Sequence, residues 1–134
     1  MQMTRRIWLF SGIIVVVFLP LALAFGVEGK PVPDAAITIR QALKERRVVT
    51  FTYHGYARTV EAHALGKSAD GKAALLAWQT GGGSQTEPLP GWRTFLLADI
   101  MGLTLAETTF AKPRPDYHKG GRGLKAVEAE VAAD

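Results

Sequence analysis

Two arginines carry the strongest chemical signal in this sequence. In the stretch Tyr56 to Leu65, alternation puts Arg58 on the face of Val60, Ala62 and Ala64; in Arg93 to Leu97, Arg93 shares a face with Phe95 and Leu97. Each guanidinium thus begins a row of apolar, core-facing side chains. A cation over an apolar surface must find acceptors or stay at the rim, because burying it alone is costly. One reading has each arginine snorkel, or pair with a carboxylate such as Glu61, Glu87 or Asp99. The other has both point into one concavity and hold an anion such as phosphate by charge-assisted hydrogen bonds. Trp92, after Pro90-Gly91, is either a stacking platform for a base or ligand or a cover over one end of the fold.

Other candidates are poorer. Glu61 and His63 alternate onto one strand face, but two ligands are too few for a metal, and an exposed polar face is the expectation. Ser84 follows Gly81-Gly82-Gly83 without the Gly-x-Ser-x-Gly elbow of a hydrolase. The same glycines lack the Lys-Ser/Thr of a phosphate-binding loop, so a hairpin connection is expected. Lys119 to Gly123 holds a single Arg/Gly copy and reads as a solvated linker. The chain has no cysteine, which excludes a disulfide scaffold, a thiolate metal site and a cysteine nucleophile. No nucleophile, base and orienting group can be assembled at sensible spacing, so the expectation is a non-enzyme with no metal and no cofactor.

The elements that must position the arginines follow from patterning. Asp34 is placed to cap a helix from Ala35 to about Arg46, whose apolar positions Ala36, Ile39 and Leu43 fall near helical spacing. From Val48 the period becomes two. Val48 to Tyr53 and Tyr56 to Leu65 read as strands joined by a tight His54-Gly55 turn. Ala73 to Thr80 is a nearly continuous apolar run, expected of a strand covered on both faces. Arg93 to Leu97 and Ile100 to Leu105 complete five short strands, so the fold class is mainly β, a small barrel or strongly bent sheet preceded by one α-helix.

The ends differ from this body. Residues 7–27 carry no charged side chain and follow Arg5 and Arg6, the pattern of a signal peptide or a membrane anchor. In the first case Ala22-Leu23-Ala24 is the cleavage site; in the second the apolar stretch spans the bilayer. Both put the body outside the cytoplasm, periplasmic or secreted after cleavage or anchored to the inner membrane, because the arginines favour the inside. The formal charge of +4 falls to +2 once residues 1–24 are removed, so basicity argues little for a polyanionic partner. The expected organisation is 1–24 leader or anchor, 25–34 linker, 35–111 barrel domain, and 112–134 a flexible tail rich in Pro and Gly, with a frayed helix after Leu124.

The order of motifs resembles a known family. An Ile-x-x-Ala-Leu helix (Ile39 to Leu43) precedes Val49-Thr-Phe-x-Tyr53 and Gly55-x-x-Arg58-x-Val-Glu61. Gly71 with its apolar strand follows, then Arg93-x-Phe-x-Leu-x-x-Ile100, ending at Phe110. This arrangement is similar to the WYL domain of bacteria over about Ile37 to Phe110. Of the naming triplet, which falls at Ala73-Ala74-Leu75, only Leu75 is present, and residues 1–34 leave no room for the helix-turn-helix that usually accompanies the domain. The resemblance implies a Src-homology-3-like (Sm-like) barrel that senses ligands, nucleotides or nucleic acids among them. It also implies a site of Arg58 and Arg93 with Tyr53 and Phe95 as neighbours, to which Trp92 is added as a stacking group. The expected partner is an anionic small molecule or oligonucleotide. A different class of function is a structural or protein-interaction module that offers an exposed strand to a partner's strand.

Overall fold

The computed structural model describes residues 31–84, 88–119, 121 and 123–133. The apolar leader lies outside the described residues, as does Glu87. Among the described residues no helix is long and apolar enough to cross a membrane.

Helix α1 (Pro31–Glu45) begins earlier than its apolar spacing suggests, so Asp34 lies in its first turn, where a carboxylate suits the helix dipole, instead of capping it. Ile39, Ala42 and Leu43 are buried as one stripe, while Ile37 is exposed. Arg46 ends the helix in the left-handed region (φ 53°). Strands β1 (Arg47–Tyr53) and β2 (Tyr56–Lys67) then form a hairpin around His54 and Gly55, both at positive φ, which matches the twist of the flanking strands. Strands β3 (Ala73–Gly82) and β4 (Gly91–Leu96) continue the meander. A 3-10 turn (Leu97–Asp99) then leads to β5 (Ile100–Thr109), which returns to pair with β1.

The architecture is mainly β, one helix followed by an antiparallel sheet, with strand order β4-β3-β2-β1-β5. The expected count of five strands is corrected to six. Strand β6 (Ala126–Glu130) lies in the segment expected to be a flexible tail with a frayed helix. It pairs with β2 through Ala64↔Glu130 and Leu65↔Ala129, and Val131 behind it is buried. The reason is that β2 is longer than β1. Strand β3 lines one edge of β2 from Arg58 to Lys67, β1 covers the other edge only up to Glu61, and β6 takes the remainder. Gly66 makes the approach possible, since a methyl group there would overlap the Ala126 carbonyl. No pairing joins β4 to β5 among the described residues, so the sheet runs as an open path.

The inner face holds the core. Phe95 packs edge-to-face on Phe51 and on Tyr53, with ring centres 4.9 Å apart in both pairs, among Ile39, Leu43, Val49, Val60, Leu75 and Leu97. On the outer face, residues 110–119, which lead from β5 toward β6, lie over Glu61, His63, Trp78 and Trp92.

Candidate functional site

Arg58 and Arg93 lie on the inner face, as alternation predicts: Arg58 is opposite Phe51 in β1, and Arg93 is opposite Ala77 in β3. Both line an open hollow of about 180 Å³ with Tyr53, His54, Ser84 and Phe95.

Arg58 is only 6% exposed. Its Nη1 donates to Gln79 Oε1 (3.2 Å) and its Nη2 to the Tyr53 carbonyl (3.1 Å). Its guanidinium carbon sits 5.5–5.6 Å from the ring centres of Tyr53, Tyr56 and Phe95, within cation–π range of each. Nε has no hydrogen-bond partner. Gln79 is wholly buried, and its amide is fixed by donating to the Gly81 and Gly83 carbonyls (2.9 Å each), which turns Oε1 toward Arg58. Arg93 donates through Nη1 to the Trp92 carbonyl (3.0 Å) and through Nη2 toward Ser84 Oγ and the Pro88 carbonyl (3.4 Å each). Burial first, and the Arg93 charge second, push the Arg58 guanidinium below its ordinary value.

Two of the carboxylates considered as partners for these arginines are engaged elsewhere. Glu61 is gripped by Arg114, and Asp99 pairs with His54 at 3.1 Å. Arg58 has no carboxylate partner among the described residues and is held by neutral oxygens and ring faces.

The structure therefore brings together four of the five expected site residues: Arg58, Arg93, Tyr53 and Phe95. Tyr53 and Phe95 are 9% and 1% exposed, so they wall the hollow and offer little stacking surface. Trp92 is separate and is corrected. It pairs across the strands with Trp78 on the outer face, donates Nε1 to Asp116 (2.9 Å) and packs edge-on to His63 with ring centres 4.9 Å apart. The same alternation that aims Arg93 inward aims its neighbour outward. The sequence does not assign Gln79, His54 or Ser84 to this site: His54 is expected only in a turn and Ser84 only in a hairpin connection. Gln79 had a signal, as the one amide at an inward position of an otherwise apolar strand.

The outer face differs from expectation as well. Glu61 and His63 are 8% and 0% exposed, instead of forming an exposed polar face. Arg114 makes a bidentate pair with Glu61 (2.8 and 2.9 Å), and its backbone N–H donates to His63 Nε2 (3.0 Å). No group of three metal-ligating side chains occurs among the described residues.

No family model matches the sequence, and neither a curated protein nor a solved structure shows significant similarity to it.

Proposed function

We propose that this chain is a non-enzymatic binding module, a WYL-like small barrel of the Src-homology-3 (Sm-like) type. It takes an anionic ligand, a phosphate group of a nucleotide or oligonucleotide-like molecule, between Arg58 and Arg93. The observation that carries this reading is the Arg58 guanidinium, nearly buried beside a second cation, with no carboxylate among the described residues to balance it and Nε unpartnered. A buried charge left in that state costs stability, and an anion entering the hollow would supply both the missing acceptor and the missing charge. The volume suits one phosphate group, with the rest of the ligand outside. Support for the barrel reading comes from the single helix, the four-strand meander and the 3-10 turn that sends β5 back to β1. The apolar, Arg-preceded leader supports a location outside the bacterial cytoplasm, exported or tethered to the inner membrane.

The test is calorimetric titration of the full chain with inorganic phosphate and with a short oligonucleotide. Binding should weaken steeply as salt rises, and the Arg58→Ala/Arg93→Ala variant should lose it while keeping a cooperative thermal transition. Loss of that transition would assign the arginines to structure. A second reading, pairing with a partner's strand, is favoured by β5, whose outer edge no strand occupies among the described residues and whose Met101 is 68% exposed. Binding of that kind would persist in high salt.

A further inference from the structure

His63 lies on the face of β2 opposite the hollow, with both ring nitrogens engaged by backbone groups of fixed polarity. Nδ1 is 2.9 Å from the Glu61 carbonyl, which can only accept, so Nδ1 carries the proton. Nε2 is 3.0 Å from the Arg114 backbone N–H, which can only donate, so Nε2 must be bare. The geometry thus selects one neutral tautomer. That nitrogen anchors residues 110–119 to the sheet, together with the Arg114–Glu61 pair.

We propose that His63 is an acid-sensitive catch: its neutral ring holds the 110–119 strap against the outer face, and protonation at Nε2 releases the strap, uncovering Trp78, Trp92 and the Glu61 carboxylate. Protonation sets a second N–H against the Arg114 N–H, so two donors face each other across a hydrogen-bond distance. The charged groups around the ring have opposing effects. Glu61 from β2 and Asp116 from the strap favour the imidazolium, whereas the Arg114 guanidinium opposes it. Glu61 is already committed to Arg114 in a bidentate pair. Tyr117 from the strap and Trp92 from β4 present ring surface, and Phe110 stacks on the imidazole with ring centres 5.5 Å apart and planes 18° from parallel. Complete burial is the largest influence, and the imidazole is held below its ordinary value of 6.5.

The sign follows. The released strap leaves His63 exposed, with its ordinary affinity for a proton, while the strapped form resists protonation. Lowering the pH through 6.5 therefore favours release by about tenfold per unit, until the strapped form also titrates. The proposal does not depend on anion binding, which uses the other face.

Hydrogen exchange of the full chain at about pH 7.5 and about pH 5, corrected for intrinsic rates, tests it. The chain has three histidines, and a His54→Gln/His118→Gln variant leaves His63 alone. In this variant, strap amides should lose protection about tenfold or more at the lower pH, with β1–β3 unchanged. A His63→Gln variant should show no such dependence. Equal protection at both pH values, or a dependence that survives in His63→Gln, overturns the catch. If His63→Gln fails to hold the strap at neutral pH, nitrogen NMR of the single-histidine variant decides. Protonation of His63 should coincide with loss of the native Arg114 amide signal, and an imidazolium with that signal unmoved overturns the proposal.

Discussion

Arg58 separates the cost of a charge from the benefit of its contacts. Its guanidinium satisfies Gln79 Oε1 and the Tyr53 carbonyl, yet it is itself desolvated beside Arg93. Arg58→Met keeps the apolar stem and removes the charge. It forfeits two hydrogen bonds and relieves one cation that no carboxylate among the described residues balances, so we expect a net stability change within about 1 kcal/mol by denaturant titration. The functional consequence should be larger. Phosphate at about a hundred times its dissociation constant should stabilise the native chain by about 2.7 kcal/mol, read as a thermal shift, and should leave Arg58→Met unmoved. A variant that shifts as the native chain does removes the hollow from the ligand's path, and one that unfolds assigns Arg58 to structure. Period-two alternation was enough to read the inward placement of both arginines, because it depends only on strand geometry. The same geometry turns Trp92 to the opposite face, against the expectation that it stacks beside them. The role of Gln79 could not be read, since its amide is oriented by the Gly81 and Gly83 carbonyls, whose positions depend on how the strand ends.

At the scale of elements, β6 shows where local propensity loses to pairing. Ala126–Glu130 has the sequence Ala-Val-Glu-Ala-Glu, rich in helix formers, and local propensity alone points to a frayed helix. It is extended because the upper half of β2 offers an unpaired edge, and such an edge is visible only once strand lengths are known. The order of 110–119 was illegible for a related reason, as its anchors Glu61 and His63 lie about fifty residues away in sequence. The helix and the first five strands depended on local signals and were legible to within a few residues. Two variants probe the far edge of β2. Gly66→Ala has no room beside the Ala126 carbonyl, so β6 must shift, and we expect a loss of about 1–3 kcal/mol with earlier proteolysis after β5. Arg114→Ala leaves the Glu61 carboxylate, 8% exposed, without its bidentate partner. A fully buried pair broken this way costs about 3–5 kcal/mol. Because the Arg114 side chain is 36% exposed, water screens the pair, and about 2 kcal/mol is the expected loss in urea denaturation.

For the molecule as a whole, the two faces of one small sheet carry different chemistry, an apolar core inside and a polar-aromatic patch under the strap outside, and this sets its response to alkali. Tyr117 donates its phenol proton to Glu130, joining the strap to β6. Burial first, then the Glu130 hydrogen bond and charge, hold that phenol well above its ordinary value of 10.0. The folded chain therefore keeps a proton that the unfolded chain releases above pH 10.0, and this contribution to stability is complete below that pH and shrinks above it. Tyr117→Phe lacks the group altogether. At about pH 8 the variant should be less stable than the native chain by about 1 kcal/mol, a figure kept small because the ring is only partly buried. Urea denaturation of both proteins at rising pH should show the gap closing above pH 10.0, because only the native chain has this proton to lose. A gap that stays constant through that range would mean that the phenol does not join strap to strand in solution, and that the strap is held by its other contacts, those of Arg114, His63 and Trp92 among them.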